Sequence, residues 1–227
     1  MSEPRVAIVT GGLTGIGAAC VTRLEEAGCR VVAGSRRSGL DVADTASVTA
    51  FVDKVRAELG PPTILVNAAG IYRSRPIPEQ TDADWDEEIA VNLTGPFKMT
   101  RAVMPDMIAA GWGRVVNIAS TAAHFGAEGY SAYCASKAGL LGLSRVTAIE
   151  GAPAGVTCVS VSPTWVETPM MDGAVARGIS KASIAAQNPQ NRLVQPDEIA
   201  AVVALACSDA APALTNEDIQ VNAAALW

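Results

Sequence analysis

The sequence is poor in the residues that metal and nucleic-acid chemistry require. It has one histidine, His124, so neither a histidine-built metal site nor a Ser-His-Asp relay has enough raw material, and no metal is expected. Acidic residues outnumber basic ones, 23 against 17, for a net charge of −6. The only adjacent basic residues are Arg36 and Arg37, which argues against a surface that tracks a phosphate backbone. No apolar run approaches the ~18–20 residues needed to span a bilayer, so no membrane association is expected. The five cysteines, Cys20, Cys29, Cys134, Cys158 and Cys207, are odd in number and lack CxxC spacing; they read as reduced packing residues. Residues 1–5 run straight into a strand without a signal-peptide pattern, and the expected location is cytoplasmic.

Apolar residues make up 49% of the chain, aromatic residues only 4% and charged residues 18%. This suits helices packed closely on a buried sheet, and residues 1–227 are expected to form a single domain. Strand and helix signals alternate, which predicts an α/β fold: a Rossmann-type, doubly wound parallel sheet of six to seven strands with helices on both faces. Short apolar runs at 6–9, 30–34, 63–66, 114–119, 156–161 and 219–221 read as strands. Helical periodicity covers 45–59, 84–110, 131–150 and 198–207, while 163–189 is less regular. Only about ten residues, 35–44, join the second strand to the next helix. A crossover with its helix needs ~10–12, so the third strand and the helix before it must be shortened, leaving at most a stub near Leu40-Asp41-Val42.

The first strand ends in Thr10-Gly11-Gly12-Leu13-Thr14-Gly15-Ile16-Gly17 and a helix follows. In that context Gly11 permits a tight turn, Gly15 lets the backbone approach a diphosphate and Gly17 lets the helix pack close, while the helix N-terminus attracts the anion. An ordinary turn needing glycine for steric reasons is the alternative. At the end of the second strand, Ser35, Arg36 and Arg37 stand where an acidic residue would hold the ribose of NAD. Two guanidiniums and a hydroxyl suit a 2′-phosphate, which favours NADP(H) over NAD(H), unless the pair is a solvated surface feature.

Tyr133 and Lys137 are four residues apart on one helix, which puts phenol and ammonium on one face. A nearby cation stabilises a phenolate and is expected to bring the tyrosine pKa towards neutrality, so that Tyr133 can exchange a proton with a carbonyl or alcohol oxygen. Ser120 follows the strand 114–119 and can hydrogen-bond that oxygen, or serve only as a cap. The sequence resembles the short-chain dehydrogenase/reductase family along almost its whole length: in the turn 10–17, in Asp41-Val42, in Asn67-Ala68-Ala69-Gly70, in Val91-Asn92-Leu93-Thr94-Gly95, at Ser120, in the Tyr133/Lys137 pair and at 163–168. The resemblance implies a catalytic tetrad of Asn92, Ser120, Tyr133 and Lys137, with Lys137 also on the nicotinamide ribose and Asn92 supporting a relay water. It further implies cofactor contacts from Gly11, Leu13, Thr14, Gly15, Ile16, Gly17, Ser35, Arg36 and Arg37, from Asp41 and Val42 at adenine, from Asn67, Ala68 and Gly70 along the groove, and from Pro163, Val166 and Thr168 near the carboxamide and phosphates. Local alternatives are a strand-end turn for Asn67 and a helix cap or kink for Asn92.

The expected activity is reversible reduction of a ketone or aldehyde to an alcohol by hydride transfer, with a small molecule as partner. A non-catalytic nucleotide-sensing protein, or another enzyme class such as an epimerase or dehydratase on the same fold, is the alternative. The chain departs from the family at Pro163-Thr164 and at Asn222-Ala223-Ala224, where glycines are usual; alanine is not expected to take positive φ. His124, with Phe125 and Tyr130, either faces the substrate or sits in a loop with no chemical role. Residues 165–187, with Met170, Met171 and Ile179, are expected to cover an uncharged substrate. Apolar residues on more than one face of the 84–110 and 131–150 helices, together with the resemblance, imply a homodimer or homotetramer.

Overall fold

The computed structural model describes residues 3–176, 178 and 180–225. Its six strands are β1 Val6–Thr10, β2 Arg30–Gly34, β3 Pro62–Asn67, β4 Gly113–Ile118, β5 Val156–Pro163 and β6 Asp218–Val221. They form one sheet in the order β2-β1-β3-β4-β5-β6, with every pairing parallel. The strands are short apolar runs because both faces are covered. Val6 and Ile8 join one core with Leu65, Val115 and Cys158; Ala7 and Val9 join a second with Ile64, Val66, Val116 and Val159.

The helices are α1 Gly15–Glu26, α2 Thr45–Leu59, α3 Asp82–Ile89, α4 Gly95–Ala110, α5 Ser131–Gly151, α6 Asp172–Ala176, α7 Lys181–Ala185 and α8 Pro196–Ala206. Val48, Val52 and Val55 of α2, Met99, Val103 and Met107 of α4, and Ala148 of α5 cover the first face. Cys20 and Leu24 of α1 and Ile199, Ala200 and Val203 of α8 cover the second. The chain leaves β1 for β2 on one side and β3 lies on the other. This reversal opens a crevice beyond the carboxyl ends of the strands, where ligands bind in open α/β sheets.

Two local features set the site. The 35–44 connection is compressed further than a stub: it contains a one-turn 3₁₀ helix, Arg36–Ser38, and no strand. Leu40 and Val42 turn inward and join the first core. The long helix expected at 84–110 is broken by a π-helical turn, Ala90–Thr94. At its exit a Cβ on Gly95 would lie 2.8 Å from Val42 Cγ2. A π turn inserts a residue into the helix and re-aims its side chains; here it carries Asn92.

Candidate active site

At the end of β1 the chain folds back tightly, with Gly11 at φ +68 and its N–H on the Gly34 carbonyl at 2.7 Å. A Cβ at Gly17 would come within 2.3 Å of the Gly11 carbonyl oxygen, so α1 rests directly on the turn. Gly15 lies against Thr168, with its Cβ position 3.1 Å from Thr168 Cγ2. Thr14 precedes α1 without capping it through its side chain, and the first turn carries no acidic residue. Backbone N–H groups and the positive end of α1 are thus available to an anion. These features fit a dinucleotide diphosphate. Leu13 and Thr14 are exposed, and Ile16 and Thr168 line the adjoining cavity.

The other expected cofactor contacts are placed unevenly. Arg36 and Arg37 are exposed beyond β2, with no ion pair among the described residues. Ser35 is committed to its own turn: its hydroxyl accepts the Ser38 N–H, while its N–H donates to the Ser38 hydroxyl at 2.8 Å. Asp41 accepts the Ala43 N–H at 3.0 Å. Val42 is buried, as is Asn67, whose amide donates to Asn117 Oδ1 at 2.8 Å while its own oxygen has no hydrogen-bond partner. The Thr10 hydroxyl accepts the N–H groups of Ala68 and Ala69, both at 3.1 Å, which fixes the strand end leading to Gly70.

The crevice deepens into a cavity of about 290 Å³ lined by Ser120, Tyr133, Lys137, Ala68, Gly70, Pro163 and Val166. Tyr133 and Lys137 project from the start of α5, with the Lys137 ammonium 5.7 Å from the centre of the Tyr133 ring. Lys137 donates to the Ile118 carbonyl at 2.7 Å. Ser120 caps the following 3₁₀ turn by accepting the Ala122 N–H at 3.1 Å, and its hydroxyl also bonds the Tyr133 phenol. The cap reading of Ser120 therefore holds, and its hydroxyl lies beside the phenol. Asn92 is fully buried below. It accepts the Ile71 N–H at 2.9 Å and donates to the Ile71 carbonyl at 2.8 Å. A Cβ on Gly70 would lie 3.4 Å from Asn92 Oδ1 and 3.7 Å from Lys137 Nζ, so these two groups converge under the strand end.

Burial dominates the electrostatics. It pushes the Tyr133 pKa up to about 12, with the Ser120 hydrogen bond acting in the opposite direction, and pushes Lys137 down to about 8. The spacing predicts a tyrosine lowered by its lysine; burial instead raises it, leaving a neutral phenol beside an ammonium at pH 7.

All three tyrosines of the sequence meet here. Tyr72 stacks on Tyr130 with ring centres 5.6 Å apart and meets Tyr133 edge-on at 6.2 Å. Phe125, Trp165, Met170 and Met171 complete the apolar wall, with the Gln187 amide beside them; Ile179 lies outside the described residues. Tyr72 escaped the sequence reading, although it follows the strand-end motif by two positions. His124 points away from this cavity and bonds Asp218 Oδ2 at 2.6 Å. Ala223 and Ala224 adopt φ of +50 and +61, which corrects the expectation for alanine; Asn222 Oδ1 accepts the Ala224 N–H at 3.1 Å and helps hold that turn.

Comparison with known proteins agrees with this geometry. Residues 32–223 match the family model described as enoyl-(acyl carrier protein) reductase. The acetoacetyl-CoA reductase of Allochromatium vinosum is 38% identical, over 96% of this chain and 97% of the relative. The D-threitol dehydrogenase of Mycolicibacterium smegmatis is also 38% identical, over 97% of this chain and 92% of the relative. The ligand-free aldohexose dehydrogenase of Thermoplasma acidophilum superposes with a TM-score of 0.91 at 30% identity, covering 98% of this chain and 94% of that one. A glycine-lined turn, a Ser-Tyr-Lys cavity and likeness along nearly the whole chain lead to one conclusion: the chain belongs to the short-chain dehydrogenase/reductase family of oxidoreductases.

Proposed function

We propose that this chain, acting as a single unit over residues 1–227, reduces an uncharged ketone or aldehyde to an alcohol and runs the reverse reaction, with NADP(H) preferred to NAD(H). The observation that carries this reading is the convergence of Ser120, Tyr133 and Lys137 on one mostly apolar cavity, with Asn92 buried beneath it at Gly70, continuous with the uncapped N-terminus of α1. The turn 11–17 would hold the diphosphate, Arg36 and Arg37 the 2′-phosphate, Lys137 the nicotinamide ribose, and Val166 and Thr168 the carboxamide side. When bound there, the nicotinamide supplies or accepts hydride.

The chain's own residues handle the proton. Tyr133, neutral at pH 7, donates its phenolic proton to the carbonyl oxygen, while Ser120 orients that oxygen and steadies its developing charge. The Lys137 ammonium, fixed on the Ile118 carbonyl, stabilises the phenolate left behind. Asn92 holds the Gly70-Ile71 segment over this pair. Among the described residues Lys137 is the sole cationic side chain on the cavity wall, which is otherwise rich in aromatic and thioether groups. That supports a bulky, uncharged carbonyl compound as substrate.

Exposed Phe97 and Ile108 on α4 and Val146 and Ile149 on α5 support a homodimer or homotetramer formed through these helices. Five free thiols suit the reducing cytoplasm. The test is NADPH oxidation on addition of aryl and alkyl ketones. The wild-type chain is expected to turn over, and Tyr133→Phe to lose about 10³-fold in kcat, the order of a general acid's contribution. Wild-type turnover by the phenylalanine variant would remove Tyr133 from the mechanism.

A further inference from the structure

Glu88 is the one fully buried carboxyl group among the described residues, and the proton transfer above makes no use of it. Its Oε1 accepts the Arg73 N–H at 2.8 Å, while Oε2 is buried without a hydrogen-bond partner. One turn further along, Asn92 holds both backbone groups of Ile71. Residues 71 and 73 are thus gripped from the same stretch of helix. Tyr72 lies between them, enters the cavity and packs against Tyr130 and Tyr133.

The charged groups around Glu88 are few. Asp84 and Glu87 share its helix and disfavour its ionisation; Arg73, on the opposing loop, favours it. Tyr133 faces it from α5, which packs on α3. Arg73 is itself engaged by Glu87 and by Asp84, the latter at 3.4 Å, and Arg75 meets Asp84 at 3.2 Å. Burial is the largest influence and lifts the Glu88 pKa to about 7. A carboxylate accepts a backbone N–H more strongly than the neutral acid does.

We propose that Glu88 is a positioning residue for substrate binding: through the Arg73 N–H its carboxylate holds Tyr72 as a wall of the cavity, and protonation slackens that hold. This rests on reading the cavity as the carbonyl site. The test compares wild type with the isosteric E88Q, which keeps an acceptor for Arg73 but cannot titrate. Two quantities are followed by NMR between about pH 6 and 8, one unit either side of the Glu88 value. These are the Arg73 backbone amide shift and the Kd of acetophenone, an uncharged aromatic ketone used as probe.

In wild type the amide is expected to titrate near pH 7 and the Kd to fall about fivefold as pH rises, the margin of a charged over a neutral hydrogen bond. In E88Q both are expected to be flat. An Arg73 amide that does not titrate, or titrates equally in E88Q, overturns the proposal. A titrating amide with flat acetophenone affinity overturns the positioning role and leaves the cavity reading intact. Acetophenone binding that shifts no resonance of Tyr72, Tyr130 or Tyr133 overturns the cavity reading, and the positioning role with it.

Discussion

Desolvation works on Tyr133 and Lys137 in opposite senses and leaves each in the state that the proposed reduction needs. The phenol, pushed up to about 12, keeps its proton across the neutral range. The ammonium, pushed down to about 8, keeps its charge only below that value. Above about pH 8, Lys137 becomes neutral and can no longer stabilise the phenolate that proton donation creates. The reductive kcat, read with ketone saturating, is therefore expected to be level below about pH 8 and to fall as pH rises through it. A pH–rate profile with NADPH held saturating checks this; a rate that keeps rising past pH 9 would detach Lys137 from the proton transfer. Spacing made the pair visible in the sequence, but its electrostatics arise from burial, which a four-residue interval does not encode. Glu88 and Tyr72 escaped for a related reason. Their only local signals were a four-residue interval from Glu88 to Asn92 and the nearness of Tyr72 to the Gly70 motif, and neither reveals a hydrogen bond across 15 or 21 residues.

Among the elements, those bounded by strong local signals were legible. The helix α2 begins after the Asp44 cap and ends at Leu59, just before Gly60, and β3 starts at Pro62, the second of two adjacent prolines. The π turn was not legible, because Ile89, Leu93 and Phe97 continue a helical period straight through it. What breaks the helix is contact with Val42 and the demand of Ile71 on Asn92, both remote in sequence. The compressed β2–α2 connection has a functional counterpart. Its two exposed arginines are free of ion pairs among the described residues, so neither must be released before it can meet a phosphate. Arg36→Ala and Arg37→Ala are each expected to weaken NADPH binding about tenfold and to leave NADH binding unchanged. Side-by-side fluorescence titrations decide it; equal losses for both nucleotides would make the arginines general anchors rather than readers of the 2′-phosphate.

For the molecule as a whole, the exposed apolar faces of α4 and α5 are the feature that a lone chain does not explain. Ile149 is 66% exposed and Val146 52%, one helical turn apart. Covering what remains exposed of two such side chains stabilises an interface by roughly 1–2 kcal/mol each. On the proposed assembly through α4 and α5, Ile149→Glu is expected to shift the mass measured by light scattering from dimer or tetramer to a smaller species; an unchanged oligomeric mass would place the interface elsewhere, and a monomeric wild type would remove the assembly. Loss of the third strand has an effect at this scale too. It leaves β2 as the margin of the sheet, with no strand beyond it among the described residues. A margin strand is a template on which another chain can add, and here it is only five residues long, with exposed Arg30 at its start and Arg36 and Arg37 just past its end. The same positive charges proposed to greet a nucleotide thus also repel a second copy approaching edge to edge, and neutralising them would trade cofactor selectivity for a tendency to polymerise.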